Sequence, residues 1–301
     1  MVGRVLEELP RGARVAVIRL RSLGDCVLTT PALDILKRFR PDLRISMVVE
    51  DRFRDLFTGN PDIEEILPPE AGRLRRAGVR LVLNLHGGPR SAWMTAVSGA
   101  RQRAGFGHFR SQFVYNRRIP RAQEILGVNR KVHTAEHLAS AIFHLGAPVT
   151  QIPRAKLVAR AAASARAVIH PSAATTEKTW RAEGFLEIAR HLEASGHEVV
   201  FIGGPADDLS PFGSFCTRRG APLAEIKSLL AAAPLFVGND SGPAHMAAAF
   251  GVPSVVLFGA SDPAIWGPWR TPAEVIAAPA NLASVPVERV LEAVARLRVH
   301  A

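Results

Sequence analysis

Residues 235–262 read LFVGNDSGPAHMAAAFGVPSVVLFGASD, an apolar run, a turn, a short helical pattern and a second apolar run. Leu235-Phe236-Val237 is a short apolar run ending on Gly238, the pattern of a parallel strand buried on both faces. Asn239-Asp240-Ser241-Gly242-Pro243 reads as a tight turn. It supplies an N-cap and places a proline in the first helical turn, where no backbone donor is lost. Residues 244–250 then read as a short helix stopped by Gly251, and residues 255–258 as the next buried strand. Such a strand–loop–helix–strand unit aims the helix N-terminus at the carboxyl edge of a parallel sheet. Its N–H groups and the positive end of its dipole make an anion site there, and His245 adds a donor at the same mouth.

The same alternation extends outward in both directions. Residues 15–20 (VAVIRL) predict a buried strand, residues 21–25 the loop after it, and residues 27–39 a helix ending before Pro41. Residues 45–49 and 79–85 are further strands with helices between them, and residues 131–145 a last helix closed by Gly146 and Pro148. A boundary is expected at residues 150–153. The pattern then restarts with a strand at 167–170, a helix at 185–194, a strand at 198–202 and a helix at 222–233. After the unit quoted first, an amphipathic helix at 285–297 closes the chain. The expected fold is α/β, with two doubly wound, Rossmann-like domains at residues 1–150 and 151–301 and ligands in the crevice between their carboxyl edges. Neither half carries GxGxxG or a P-loop lysine, so a dinucleotide or kinase reading finds no support.

The composition is that of a soluble globular protein, 48% hydrophobic and 22% charged among 301 residues. No apolar run approaches the ~20 residues of a membrane helix. Residues 1–10 carry Glu7 and Glu8 without an apolar core, so no signal peptide is read there. Cys26 and Cys216 make neither a ligand cluster nor a disulfide framework, and a cytoplasmic home is expected. The net charge of +11 is uneven: residues 1–150 hold 24 Lys and Arg against 14 Asp and Glu, residues 151–301 only 14 against 13. Within residues 71–131, Glu124 is the sole acid among 13 basic residues. A bias this strong in one half favours an anionic partner, and nucleic acid, phospholipid headgroups and a phosphorylated substrate all qualify.

Three segments together resemble the ADP-heptose:lipopolysaccharide heptosyltransferase family, glycosyltransferase family nine. They are VIRLRSLGDCVLTTPALDILK (17–37), HPSAATTEKTW (170–180) and VGNDSGPAHMAAAFGVPSVVLFGASDPAIWGP (237–268). Their order and separation fit, and the resemblance spans nearly the whole chain. It implies a GT-B fold, with the acceptor bound by the N-terminal domain and the sugar nucleotide by the C-terminal one. By comparison the stretch between Gly204 and Ala231 is short, as if a helix and a strand had been trimmed.

Read from the residues alone, Asp25 is a helix cap worth about 1 kcal/mol or a general base. The resemblance assigns it the base, in Ser22-Leu23-Gly24-Asp25. Lys178, after Thr175 and Thr176, stands where family enzymes carry a lysine that neutralises the departing diphosphate. Asp240, Ser241, Gly242 and His245 are cap, turn and first-turn residues and also donor-site candidates. Asp240 does not suit a phosphate; hydrogen bonding to sugar hydroxyls or ordering of the loop suits it better. Asp207 and Asp208 are candidates for ribose hydroxyls or for a charge at a helix N-terminus, and Asp208 is taken into the donor set. The acceptor set is Ser22, Gly24, Arg110, Arg117 and Arg118. His133 and His137 have metal-binding spacing on a helix but no third ligand, and no DxD pair is present for Mg²⁺.

The expected protein is therefore an inverting, metal-independent glycosyltransferase without a cofactor, using a nucleotide-sugar donor and an anionic phosphorylated glycolipid acceptor. Its contact with the inner leaflet of the inner membrane would be peripheral, and nucleic acid would not be a partner. The alternatives are a sugar-nucleotide epimerase of the same fold, which leaves the basic surface unexplained, and a non-catalytic nucleic-acid-binding protein, for which no recognition motif is visible.

Overall fold

The computed structural model describes residues 4–160 and 165–297. The chain divides into two compact units, Met1–Lys156 and Leu157–Ala301. Each is built on one six-stranded, all-parallel sheet.

The first unit runs β1 (Arg14–Ile18), α1 (Leu23–Phe39), β2 (Arg44–Val48), α2 (Arg54–Phe57), β3 (Glu65–Leu67), α3 (Ala71–Arg76), β4 (Leu81–Asn84) and α4 (Pro89–Val97). It continues with β5 (Gln102–Phe106), β6 (Arg117–Ile119), α5 (Ala122–Leu126) and α6 (Thr134–His144). Across the sheet the order is β3-β2-β1-β4-β5-β6, with Val15 facing Ile45 on one side and Leu81 on the other. β1 is buried from Val15 to Ile18, as an unbroken apolar run must be when helices cover both faces of a sheet.

Pro31 lies inside α1 and offers no N–H to the Val27 carbonyl one turn back. The Thr30 hydroxyl donates to that carbonyl instead, at 2.8 Å, so the helix continues through a residue that ordinarily breaks it. The same Thr30 Oγ1 accepts the Lys156 N–H at 2.8 Å, fastening the end of the unit to α1. Lys156 Nζ bridges Asp34 and, at 2.6 Å, Asp62, whose carboxylates are only 3% and 9% exposed. Its carbonyl accepts from Asn60 Nδ2 at 3.1 Å. These bonds fasten Lys156 to the first unit, whose compact part ends there, a few residues past the boundary expected at residues 150–153.

The second unit runs β7 (Ala167–His170), α7 (Ala182–Ala194), β8 (Val199–Gly203), β9 (Cys216–Arg219), α8 (Leu223–Ala232) and β10 (Phe236–Asn239). It closes with α9 (Gly242–Phe250), β11 (Ser254–Phe258), α10 (Pro263–Trp266), β12 (Ala273–Ala277) and α11 (Val287–Arg296). The sheet order β12-β11-β10-β7-β8-β9 repeats the winding of the first unit. The first strand lies at the centre, successive strands spread to one side, and the fourth returns to the other side of the first. Trp180, Phe201, Val237, Leu257 and Val290 meet in one core cluster. α9 ends as its sequence requires, on Gly251 with φ +78°, a left-handed conformation that costs glycine nothing.

The expected loss of a strand between Gly204 and Ala231 is not observed, because β9 occupies Cys216–Arg219 and pairs with β8. The crossover between the two strands is a single 3₁₀ turn, Ser210–Phe212, fixed by Phe212 stacking on Phe201 with centroids 4.3 Å apart. β9 escapes a hydrophobicity reading because it is a half-buried edge strand carrying Thr217, Arg218 and Arg219.

Replacing Lys156 by Met should leave Asp34 and Asp62 without their shared cation. Breaking a buried ion pair by removing one partner costs about 3–5 kcal/mol. With Lys156 itself one-third exposed, a loss of about 2–3 kcal/mol is expected in denaturant unfolding of the full chain. A change below about 0.5 kcal/mol, the scale of ordinary surface substitutions, would show that the bridge does not hold the segment.

Candidate active site

Where the winding of a parallel sheet reverses, neighbouring loops leave its carboxyl edge in opposite directions and open a crevice. In the first unit this place lies between β1 and β4, and a cavity of about 570 Å³ opens there, lined by Arg19, Arg21, Ser22, Asp25, Arg52, Phe53 and His86. Asp25 sits in the first turn of α1. Its Oδ2 accepts from the Ser22 hydroxyl at 2.9 Å and from the Ser22 N–H at 3.3 Å. Its Oδ1 is ion-paired with Arg19 Nη2, and the side chain is 14% exposed. Arg19 also donates through Nη1 to the Leu85 carbonyl at 2.5 Å, so one guanidinium links the end of β4 to the carboxylate on α1.

Asp25 has the cap role that the sequence allowed, and its position keeps the other reading open. It caps α1 with Ser22, and it presents a carboxylate in a cavity with one rotamer held from two sides. Fixed orientation is what proton transfer from a bound hydroxyl demands. The surroundings are cationic, with Arg19, Arg21 and Arg52 in the lining. Burial, reinforced by Arg19 and Arg21, holds the His86 imidazole below its ordinary range, which favours the neutral ring and its one donor and one acceptor. Gly24 is buried in the first turn of α1, beside Ser22.

The arginines of the expected acceptor set separate. Arg110 is exposed in the loop that follows β5, hence on the edge that carries Asp25. Arg118 is exposed in the middle of β6. Arg117 begins β6, donates to Gln102 Oε1 at 2.8 Å, and lines another cavity, of about 440 Å³, with Arg80 and Arg101. Those residues stand at or just before the amino ends of β4, β5 and β6, the sheet edge opposite Asp25. The structure thus does not bring Arg117 to the site, because a three-residue strand spans both edges.

In the second unit the reversal lies between β7 and β10. Lys178 ends the 3₁₀ turn Thr176–Lys178 that follows β7, and its Nζ lies 3.4 Å from Asp240 Oδ2, just past β10. The turn is held from below. Asn239 Oδ1 accepts the Trp180 N–H at 3.1 Å, while its Nδ2 donates to the Pro171 carbonyl at 2.7 Å. At Gly259 any Cβ would strike the Glu177 carbonyl, so only glycine lets the end of β11 pass beneath the turn. Ser241 is the N-cap residue of α9 and Gly242 its first helical residue. Ser241 Oγ is 3.1 Å from His170 Nδ1, and the His170 ring on its other side lies 4.0 Å from Asp207. His245 is buried in the first turn of α9, edge-on to Trp266 at 6.4 Å between centroids. Thr175 and Thr176 are exposed above the turn.

Of the two aspartates after β8, Asp207 accepts the Gly204 N–H at 2.8 Å, closing the loop. Asp208 is exposed, and hydrogen bonding to Ser210 keeps its carboxyl below the usual range. His133 and His137 do structural work: His133 Nδ1 accepts the Ala135 N–H at 3.1 Å as the cap of α6, and His137 stacks on Phe106 at 4.0 Å. Among the described residues no three His, Cys, Asp or Glu side chains converge as a metal ligand set. Cys26, next to Asp25, is buried with its thiol against the Arg19 carbonyl at 3.6 Å.

Sequence reasoning did not single out Arg19, His86, Asn239 or His170. The usable signal was position: each falls at, or within two residues of, the carboxyl end of a strand flanking a reversal point.

The profile of Glycosyltransferase family 9 (heptosyltransferase) matches residues 71–291. The chain belongs to glycosyltransferase family 9. Among curated relatives, lipopolysaccharide heptosyltransferase 3 of Escherichia coli K12 is 29% identical over 294 residues, covering 83% of each chain. Lipopolysaccharide heptosyltransferase 1 of Pseudomonas aeruginosa is 26% identical, covering 84% of this chain and 81% of the relative. Among solved structures, a family 9 glycosyltransferase from Veillonella parvula superposes with a TM-score of 0.83 at 22% identity, covering 95% of this chain and 97% of that one. The E. coli ADP-heptose heptosyltransferase II gives 0.79 at 22%, covering 94% and 98%. The fold is accordingly of the GT-B class, and the family 9 assignment makes the protein a glycosyltransferase, which sets aside a purely nucleic-acid-binding role.

Burial pushes the His170 imidazole down to about 4 from an ordinary 6.5, against a smaller upward pull from Asp207. Between those values the unfolded chain takes a proton that the folded site refuses. The stability owed to neutral His170 is therefore complete above pH 6.5 and lost as the pH falls toward 4, by on the order of 3 kcal/mol. Replacing His170 by Asn, which keeps an acceptor near Ser241, should flatten that part of the stability curve in denaturant titrations at stepped pH. An unchanged slope would place the acid sensitivity elsewhere, for instance at His137, also pushed to about 4 by burial.

Proposed function

We propose that this chain is an inverting, metal-independent heptosyltransferase that moves a heptose from a nucleotide-diphosphate donor, ADP-heptose, to a lipopolysaccharide-core acceptor. The observation that carries the reading is the placement of Asp25 and Lys178. Each lies at the carboxyl edge of its own sheet, beside the point where the winding reverses, which is where ligands of open α/β sheets bind. The relatives support the substrate class: curated ones are named lipopolysaccharide heptosyltransferases, and an E. coli heptosyltransferase has been solved with ADP and with a fluorinated ADP-heptose.

The chemistry divides between the units. In the first, an acceptor hydroxyl donates its proton to Asp25 as its oxygen attacks the anomeric carbon. Ser22, Gly24, Arg110 and Arg118, with Arg21 and Arg52 of the cavity, meet the anionic acceptor. In the second, the bond from the anomeric carbon to the diphosphate breaks, and negative charge grows on the leaving group. Lys178 and the first turn of α9, at Gly242 and His245, neutralise it. Fixed charges and dipoles of this kind are worth most where charge develops in the transition state. Thr175 and Thr176 hydrogen-bond the donor and Asp208 takes its ribose. Asp240, which holds Lys178 in place before the donor arrives, is released to a sugar hydroxyl when the diphosphate takes over the lysine.

No cofactor or nucleic acid enters this scheme. Among the described residues no helix is long and apolar enough to cross a membrane, and a cytoplasmic enzyme in peripheral contact with the inner leaflet of the inner membrane fits the proposed acceptor.

Asp25→Asn keeps a side chain able to accept from Ser22 but removes the base. Turnover should fall by roughly 10²-fold or more with donor affinity nearly intact. Near-normal turnover in a variant that merely melts earlier would leave Asp25 as a cap alone. Lys178→Ala should weaken ADP binding in calorimetry and also slow transfer, because the charge it meets increases along the reaction. If affinity and rate both stayed at wild-type values, the diphosphate would be held elsewhere.

A further inference from the structure

We propose that the outer face of α4, together with the 3₁₀ turn Gln112–Val114 that packs against it, is a docking surface for a phospholipid bilayer with anionic headgroups. This rests on the reading of the acceptor as a lipid-linked glycan, and it names the surface by which the first unit would reach it.

The helix has the wrong outside for one facing only water. Ala92, Met94 and Thr95 are buried, yet Trp93 points outward with 64% of its surface exposed. Arg90 and Val97, one turn before and one turn after it, lie on the same side. Phe113 stands 77% exposed on the 3₁₀ turn, an element in contact with α4. Among the described residues, Trp93 and Phe113 are the two exposed aromatics of the large hydrophobic side chains, and they occupy adjoining elements. A hydrophobic ring left in water twice in one place marks an interaction surface more often than chance exposure does.

The charges around these rings identify the partner. Arg75 donates to the Val97 carbonyl at the end of α4, at 3.4 Å. Arg103 donates to the Val114 carbonyl at the end of the turn, at 3.0 Å. Arg90 lies one turn before Trp93, and exposed Arg110 lies just before the turn. Between Ala71 and Gln123 the sequence has no acid, and Glu70, just before it, faces Arg73 at 3.8 Å, so the balance around α4 stays strongly positive. Exposed aromatic tips on elements that arginines flank match the interfacial layer of an anionic membrane, where Trp sits at headgroup depth and Arg meets phosphate. A second copy of this chain is a poor occupant, since the same face on the partner would bring like charges together.

The test is co-sedimentation of the full chain with phosphatidylcholine vesicles, with and without phosphatidylglycerol, for wild type and for the double variant Trp93→Ser/Phe113→Ser. Wild type should sediment with the mixed vesicles and hardly with phosphatidylcholine alone. The double variant should bind at least about tenfold more weakly, with an unchanged melting temperature because both side chains are exposed. Its turnover on a deacylated, water-soluble acceptor should equal that of wild type.

Failure of wild type to bind mixed vesicles at low salt would overturn the proposal. So would equal binding by the double variant, or a wild-type dimer that the two substitutions convert to a monomer. A double variant that loses turnover on the soluble acceptor would assign these rings to the acceptor site and equally overturn it. Vesicle binding that depends on the two aromatics, in a protein that transfers to no heptose acceptor, would support the docking surface while refuting the proposed function.

Discussion

Parallel pairing is the constraint on which everything else in this protein depends. When every strand of a sheet runs one way, every loop that follows a strand emerges at one edge, and the chain must return across a face before it can pair again. Centring the first strand, in each unit, makes two of those loops diverge. At β1 and β4 the divergence receives Asp25 with Arg19 and His86; at β7 and β10 it receives Lys178 with Asp240. One winding, used twice, creates a place for a carboxylate in one unit and a place for a lysine in the other.

Winding alone leaves loops loose, and a second layer of bonds fixes them. Asn239 is buried at the end of β10, where its amide would be costly to leave unpaired. Both of its ends are used, one on the Trp180 N–H and the other on the Pro171 carbonyl, and the residues between those anchors carry Thr175, Thr176 and Lys178. Arg19 does the corresponding work in the first unit, tied to Leu85 and to Asp25 at once. The groups that would touch substrate are thus oriented by groups that would not, which is how a site keeps its geometry without a rigid ligand to organise it.

The central strands were legible in the sequence and the edges were not. β1, β2, β4, β7, β8, β10 and β11 are apolar runs because both faces are covered. β3, β6, β9 and β12 end their sheets, and such strands are short and carry charge, as at Arg117-Arg118 and Arg218-Arg219. β5, an inner strand, was hidden by Gln102, Arg103 and Gly105. Gly105 leaves the room that the Tyr115 ring occupies, since a Cβ there would collide with it. Asp25, Lys178 and the first turn of α9 were legible because they lie in contiguous motifs. Arg19 and Asn239 lie in the same motifs, but the bonds from Arg19 to Leu85 and from Asn239 to Trp180 span 66 and 59 residues, which no contiguous stretch displays. Arg117 was misplaced because charge density along a sequence says nothing about which edge of a sheet a residue will occupy.

The thiol beside the proposed base has a chemical consequence. Cys26 follows Asp25 directly, but α1 turns its side chain into the interior, and burial pushes the thiol up to about 12. Alkylating agents and peroxides react with thiolate, so this sulfur is silent toward them at neutral pH even though its neighbour lines an open cavity. Cys216 is half-buried on an edge strand, with Arg218 and Arg166 nitrogens 3.3 and 3.5 Å from its sulfur. Electrophilic labels should therefore collect on the second unit and spare the helix that carries the carboxylate, which gives a covalent handle on one half of the molecule with the chemistry of the other left untouched.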